Sequence, residues 1–510
     1  MISSAHYERK GVKRVNIYAI FTVISLAAYL AVGFWSMRTL KNTEDFYVMG
    51  RNASAFLICG TFIATNISSV AFVGYVGGVG SMGCVPYIAM YGGTVCAGVL
   101  LCLYVGRYLW RMQLFTVPDF FVKRYPGKGS EVIRLFSTII VLFSMIIYLI
   151  SVCQGVNVVI CDTFGWSKTT AQLIILGVVT VFTMAGGMKG VVVTDTIMFV
   201  IFFFAAVAVA PFVVKALGGW PQGITAAAEK SPELLTWHGG YTPFRGFWQI
   251  LENNVASFML VLGSPQLLSR VFIARSERTF AKAMLLHAII LPIFIFVLLF
   301  VFTFFPTLNT GVSGTSSFTY AAMNFAPPLI GAIAIAGIAA AALSSASSLF
   351  QQAAAGLSRD VYERYINPNA SESTKLLVSR ISVLIIAIIC FIGGTTQEIT
   401  AVGLLYGFLF ATAGWACWIP PLLFGIFSKK ATTKACAWSM AVGFIVAMFF
   451  VFGRTLKFTP AWIAPNITGL LSSAITFMIV NGTAKAYDTE VAVYEKMREP
   501  VPADEIRENA

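Results

Sequence analysis

Residues 335–349 read IAGIAAAALSSASSL, and the chain is organised around this stretch. Its residues are small, and four serines stand at its end: Ser344, Ser345, Ser347 and Ser348. On a helix, Ala341, Ser344, Ser345 and Ser348 are spaced i, i+3, i+4 and i+7, so they share one face, with Ser347 beside it. The stretch lies in a long apolar segment, which puts the hydroxyls at membrane depth. Two readings stay open here. Small residues and serines occur where membrane helices pack closely. Hydroxyl and carbonyl oxygens are also hard, neutral ligands, suited to Na⁺ rather than to a soft metal.

The surrounding 510 residues are 58% hydrophobic and 11% charged, with a mean hydropathy of +0.80. Soluble domains carry about a quarter charged residues. Apolar runs of about 18 residues or more recur along the length, the pattern of an all-α, polytopic membrane protein. No polar stretch is long enough for a soluble domain. The net charge of +13 sits between spans, so it is no nucleic-acid signal. The partner that composition implies is the lipid bilayer; oligomeric state stays open. Nine cysteines are scattered without a CxxC pair, which implies neither a disulfide framework nor a zinc site. Val15 to Met37 follows Arg9, Lys10, Lys13 and Arg14 and is too long for a signal-peptide core, so it reads as an anchor. The histidines are His6, His238 and His287, with no HExxH, GxSxG or phosphate loop. A membrane-embedded enzyme is therefore a remote alternative, and no enzyme is expected.

Thirteen spans are expected, at roughly 15–37, 55–81, 84–110, 134–162, 168–187, 190–216, 246–269, 283–306, 326–357, 380–397, 400–427, 435–453 and 460–480. The loops at 38–51, 107–134, 189, 270–282, 358–380 and 428–434 hold 21 Lys and Arg, against 5 in the loops of the other side. The positive-inside rule puts the basic set in the cytoplasm. The N-terminus is then outside and the C-terminus cytoplasmic, against the vote of the basic residues Arg9 to Arg14. The tail from Asn481 to Ala510 reads as a solvated cytoplasmic extension.

The second span, LICGTFIATNISSVAFVGYVGGVGSMG, is interrupted by Asn66, Ser68 and Ser69, and Gly74, Gly77, Gly78, Gly80 and Gly83 follow. Such a helix unwinds easily and then exposes carbonyls, which lipid tolerates only where they line a cavity or bind an ion. Glycine-mediated helix packing is the alternative. Asp195, in GGMKGVVVTDTIMF, lies one or two turns inside the cytoplasmic boundary of the sixth span. A carboxylate there marks function by default, unless water or Lys189 satisfies it. His287 reads as a satisfied interfacial residue. Glu252 divides evenly between surface and vestibule.

The pattern resembles the sodium/solute symporter family, which includes sodium-coupled carriers of proline, pantothenate, sugars, sialic acid and monocarboxylates. The motifs that carry the resemblance are ATNISS at 64–69, GGMKGVVVTD at 186–195, SPQLLSR at 264–270, and AAALSSASS followed by SRDVY at 340–362. The resemblance implies a LeuT-type fold with a 5+5 inverted repeat. It divides the chain into 1–54 (tail and peripheral span), 55–216 (first repeat), 246–427 (second repeat), 428–480 (peripheral spans) and 481–510 (tail). It implies no cofactor and two coupling sodium ions. The first would rest on carbonyls of Ala64, Ile67 and Ala341 and hydroxyls of Ser344 and Ser345. The second would rest on Ser344, Ser347, Ser348 and the carboxylate of Asp195. Substrate would face Ser68, Tyr148 and Ser257, among spans two, three, four, seven and eleven. Tyr148 matches a substrate-facing tyrosine of the proline carriers, whereas Ser257 replaces their bulky aromatic, and the sugar carriers' polar pattern is absent. The expected function is Na⁺-coupled symport of an organic acid or amino acid across the cell membrane. Proton coupling through Asp195 is the alternative.

Overall fold

The computed structural model describes residues 5–312, 314–396, 401–460 and 462–500. The expected segment 397–400 and the end of the tail, 501–510, lie outside them. In chain order the main helices are α1 (Ala5–Met37), α2 (Ala55–Asn66), α3 (Val70–Met82) and α4 (Val85–Arg111). Then come α5 (Val117–Arg124), α6 (Ser130–Phe164), α7 (Lys168–Ala216), α8 (Pro243–Gly263) and α9 (Pro265–Phe272). α10 (Glu277–Thr303), α11 (Pro328–Ala355), α12 (Glu372–Thr396), α13 (Ala401–Ala416) and α14 (Ile419–Phe427) follow. α15 (Thr433–Thr455), α16 (Pro465–Thr483) and α17 (Asp488–Lys496) close the chain. Among the described residues the only extended pairing is an isolated bridge between Ala53 and Ala274.

Apolar length alone supports nine spans among the described residues, or eleven if two bent helix pairs each count as one. The expectation of thirteen needs two more. α7 has 49 residues, which straight would reach about 74 Å, over twice a hydrocarbon core of about 30 Å. It turns at Gly187 (φ 51°, ψ −152°), between the segments expected as separate spans. Only glycine takes that backbone readily, and a Cβ there would stand 2.7 Å from the Phe46 ring. α16 lies at the thirteenth place, with 19 residues, but is too polar to count on the same measure.

The two bent pairs are α2 with α3 (50°) and α8 with α9 (41°). They are the first helices of the two expected repeats. Their causes differ. At the second, Ser264 precedes Pro265 and is extended (φ −78°, ψ 129°); a residue before proline is pushed out of the helical region, and proline then opens the next helix. At the first, Ile67 is extended (φ −92°, ψ 100°), and Ser68 Oγ accepts from Val70 N at 3.1 Å. A serine that captures a backbone N–H competes with the helix. Of the glycines that follow, Gly74, Gly77, Gly78 and Gly80 stay within α3, and Gly83 (φ 75°, ψ 166°) ends it. Gly77 meets the backbone of Gly314, where a Cβ would lie 2.9 Å from the carbonyl carbon.

The helix carrying the serines is the centre of the bundle: the most apolar window of Pro328–Ile366 is 83% buried, against 22% for Ile17–Met37. Large apolar residues of α1, α12 and α15, such as Ile24, Ile388 and Ile445, point outward as a lipid-facing surface does.

Contacts sort the loops into two groups. Thr43 donates to Glu372 (2.9 Å) and Arg51 to the carbonyls of Phe272 and Leu114 (3.2 Å each). Arg111 pairs with Glu277 at 2.6 Å, and Arg124 donates to the Ser428 carbonyl at 2.9 Å. These link the loops of the basic set. In the other group Lys230 donates to the Thr307 carbonyl at 3.2 Å, and Arg454 pairs with Glu252 at 2.5 Å. Within the basic group the SRD motif is tied down. Arg134 bridges Asp119 (3.1 Å) and Asp360 (3.4 Å), and Arg359 lies 3.5 Å from Asp119. Burial works against the Asp119 charge, yet the guanidiniums of Arg359 and Arg134 hold its carboxyl below the usual range.

Two expectations need correction. Arg270, counted among the loop charges, is fully buried. The tail is not simply solvated: Glu490 is fully buried, and its carboxylate accepts from Thr433 N (2.6 Å) at the start of α15 and from Tyr487 N (2.7 Å). The free N–H groups of a helix N-terminus attract an anion. Arg124 adds a bond to the Glu490 carbonyl at 3.2 Å. We expect Glu490→Ala to destabilise the solubilised protein by about 1–3 kcal/mol, read as a lower Tm. An unchanged Tm would mean that tail docking contributes nothing.

Candidate functional site

The break after α2 leaves its last carbonyls facing the serine end of α11. Ser344 Oγ donates to the carbonyls of Ala64 (2.9 Å) and Ala341 (3.0 Å). Ser345 Oγ reaches the carbonyls of Thr65 (3.2 Å), Ala64 and Ala341 (3.4 Å each). The oxygens expected from Ala64, Ala341, Ser344 and Ser345 therefore meet at one point, and all four residues are buried. Ile67 stands at the break itself, where its extended backbone leaves the helical ladder. The C-terminal end of a helix carries partial negative charge. Two hydroxyls and several carbonyls make a hard, neutral, oxygen-only donor set of the kind that suits an alkali cation.

One turn away lies a charged cluster. Asp195 projects from α7 and is fully buried. Its Oδ2 accepts from Thr61 Oγ1 (2.7 Å) and Ser348 Oγ (3.0 Å), and more loosely from Thr65 Oγ1 (3.4 Å). Its Oδ1 accepts from Ser347 Oγ (3.2 Å). Ser347 Oγ also bonds the Ser344 carbonyl (3.0 Å), and Thr65 Oγ1 lies 3.0 Å from Ser348 Oγ, so the two clusters share a wall. Lys189 does not satisfy the carboxylate; it lies over the Trp35 ring, 5.4 Å from its centroid. The counter-charge comes from Arg270 of α9, whose Nη2 is 3.1 Å from Asp195 Oδ2. The same nitrogen donates to Thr61 and Thr65 hydroxyls (3.0 Å each) and to Ser348.

Thr61, Thr65 and Arg270 were not foreseen. The threonines sit at i and i+4 on α2, which puts them on one face, but threonine also occurs freely at ordinary helix contacts. Arg270 closes the SPQLLSR motif, and position alone made it a loop charge. What buries it is the bend at Ser264, which swings α9 back into the bundle.

Ser68, Tyr148 and Ser257 line one small void, together with Asn66, Tyr75, Tyr91, Thr94 and Phe408. Those side chains come from five spans: α2–α3, α4, α6, α8 and α13. The enclosed space is about 10 Å³, close to the room of one water. No acidic or basic side chain lines it. Above it is a larger cavity of about 180 Å³ that shares Tyr75, Met90 and Phe408 and reaches Arg245, Glu252 and Arg454. Glu252 is thus a vestibule residue. His287 is fully buried, edge-on to Phe62 at 4.8 Å, and neither ring nitrogen has a partner among the described residues. It is not the satisfied interfacial histidine expected. Among the described residues no cysteine is in a disulfide.

A profile of the sodium:solute symporter family matches residues 46–443. The sodium/proline symporter of Salmonella typhimurium is 24% identical over 433 residues, covering 82% of this chain and 84% of that protein. The sodium/glucose cotransporter of Vibrio parahaemolyticus is 23% identical over 507 residues, covering 91% and 89%. Among solved structures, a Na⁺-coupled sialic acid symporter in a substrate-bound, outward-open state superposes with a TM-score of 0.77 at 19% identity, covering 92% of this chain and 99% of that one. MhsT in complex with L-phenylalanine gives 0.51 at 15% identity, covering 82% and 97%. At these identities the structures speak for the fold alone, which is the LeuT-type fold that the motifs implied.

Both serines touch carbonyls of α2 and α11, but the Ser344 contacts are the shorter ones (2.9 and 3.0 Å), and the Ser344 carbonyl also accepts from Ser347. We expect Ser344→Ala to weaken apparent Na⁺ affinity more than Ser345→Ala, by about 5- to 30-fold, the equivalent of about 1–2 kcal/mol. Na⁺-dependent thermal stabilisation of the purified protein measures it. Normal affinity in Ser344→Ala would sink the assignment.

Proposed function

The chain belongs to the sodium:solute symporter family, and we propose that it brings a small organic solute, an organic acid or amino acid, into the cell by alternating access with two sodium ions. It is a multi-pass membrane transporter, not an enzyme. The single observation that carries the ion reading is the meeting of the α2 carbonyl end with the serines of α11. The first Na⁺ takes the carbonyls of Ala64, Ile67 and Ala341 and the hydroxyls of Ser344 and Ser345. The second takes Ser344, Ser347, Ser348 and Asp195. Na⁺ binding there joins broken span two to span nine and favours the outward-open form. Solute then enters, the outer side closes, the inner side opens, and Na⁺ leaves to the sodium-poor cytoplasm. Coupling requires that Na⁺ bind the two forms unequally.

Solute binds among Ser68, Tyr148 and Ser257. The hydroxyls, the Asn66 amide and the aromatic rings of the void suit a small molecule with one polar end and an apolar body. The void must widen to admit one, since organic ligands need about 300 Å³ or more. The N-terminus lies outside and the C-terminus in the cytoplasm. This orientation is supported by the charge count, which keeps its strong bias after Arg270 is removed from the loops, and by the contacts that gather the basic loops.

Energetics favour two ions for steep accumulation. Each Na⁺ gains about 2.3 kcal/mol per 100 mV and about 1.4 kcal/mol per tenfold gradient. Two ions with a neutral solute then sustain roughly a 10⁵-fold gradient, and one ion roughly 500-fold. The proton-coupled alternative loses its main attraction, because the Arg270 guanidinium already neutralises Asp195 and the serine hydroxyls do not titrate usefully.

The test is uptake into proteoliposomes of labelled amino acids, monocarboxylates, pantothenate and sugars, under an imposed Na⁺ or H⁺ gradient. We expect one amino acid or organic acid to accumulate only with inward Na⁺. Uptake driven by H⁺ alone would overturn the coupling ion, and Na⁺-driven uptake of a sugar alone would overturn the solute class.

A further inference from the structure

Arg270 has no role in the cycle just described, and its pairing with Asp195 conflicts with that cycle's second ion. Both side chains are 0% exposed. Arg270 Nη2 already contacts Asp195 Oδ2 and Ser348 Oγ, two of the oxygens assigned to that ion. Two cations cannot share one carboxylate oxygen and one hydroxyl at close range without strong mutual repulsion. Only Asp195 Oδ1, with Ser347 against it, lies on the side away from the guanidinium.

We propose that Arg270 is a tethered cation that holds the second site between sodium ions. A second Na⁺ loads on Asp195, Ser344, Ser347 and Ser348 as the guanidinium gives up Asp195 Oδ2 and Ser348; when Na⁺ leaves, the guanidinium returns. The inference rests on the Na⁺-coupled reading above. It follows from the penalty on a buried carboxylate without a partner, which is far larger than that on a paired one. After release the empty carrier must return from the inward-open to the outward-open form with its site unloaded. With Arg270 in place Asp195 faces one positive charge in both halves of the cycle, so the empty form has no unpaired charge to carry. In the paired state Nη1 already lies 3.1 Å from Ser269 Oγ and 3.9 Å from Met188 Sδ, the groups toward which the guanidinium would turn as it leaves Asp195. The fold also supplies a hinge. Arg270 rides on α9, set at 41° to α8 across the extended Ser264. A change in that bend moves the guanidinium relative to Asp195, which links second-site loading to the broken helix that begins the second half of the fold.

The experiment compares wild type, Arg270→Gln, and the double variant Asp195→Asn/Arg270→Gln, each in proteoliposomes after size exclusion. Three readouts are taken: equilibrium ²²Na⁺ binding, net Na⁺-driven uptake, and solute counterflow at saturating Na⁺, which needs no return of the empty carrier. In Arg270→Gln the second ion should bind at least about tenfold tighter and the Hill slope should rise. Net uptake should fall while counterflow is kept. The double variant should lose the second ion and regain net uptake. A ²²Na⁺ curve in Arg270→Gln that superimposes on wild type, or net uptake and counterflow falling together, would overturn the proposal. If Arg270→Gln does not fold, Arg270→Lys keeps the charge on a shorter, more mobile head and should give an intermediate gain in second-ion affinity; no gain overturns the idea. Absence of ²²Na⁺ binding in wild type would instead refute the sodium reading beneath it, so the two failures are distinguishable.

Discussion

A backbone carbonyl that leaves its helix inside a bilayer has no water to turn to. It must find a donor or a cation within the protein. In this chain α2 stops at Asn66 and the next helix starts at Val70, deep in the bundle, so the carbonyls of Ala64 and Thr65 face inward with their ladder interrupted. The rest of the centre answers that constraint. Ser344 and Ser345 supply the donors, and they can do so because α11 carries only small residues on that face and approaches closely. Ser69 anchors the other side of the break to the Val152 carbonyl at 3.0 Å. Such a set of inward-facing carbonyl and hydroxyl oxygens is of the kind that suits an alkali cation.

The second constraint is charge. Asp195 and Arg270 lie where neither could be tolerated alone. Four hydroxyls, from Thr61, Thr65, Ser347 and Ser348, surround the pair and satisfy oxygens and nitrogens that the ion pair leaves over. The cluster draws on α2, α7, α9 and α11, so it spans both expected halves of the molecule. Charges elsewhere serve anchoring. Asp119, Asp360, Arg134 and Arg359 bind the segment after α11 to the start of α6, and Glu490 holds the tail at the N-terminus of α15.

How much of this was legible depends on whether a feature is local. The serine face follows from helical spacing alone. The break in the second span was legible from Asn66, Ser68 and Ser69, but the glycines behind them suggested a longer unwound stretch than exists, because a glycine that weakens a helix and a glycine that lets two backbones touch look alike in sequence. Asp195 stood out because a carboxylate in an apolar run is costly. Arg270 did not, because an arginine near the end of a span reads as a boundary. The same rule misplaced Glu490: a polar, mixed-charge tail looks solvated until a helix N-terminus accepts one of its carboxylates.

By itself the sequence determined that this is a helical membrane protein, that its hydroxyls line up on one helix, and that its motifs belong to a sodium-coupled family. Those properties are set by composition and by repeats of three or four residues, which lie within a few turns of chain. Tertiary structure decided which oxygens meet, that five spans close one void around Ser68, Tyr148 and Ser257, and that Arg270 is the partner of Asp195. Residues 75 positions apart are brought together only when α9 folds back at Ser264, and no local periodicity carries the direction of that bend.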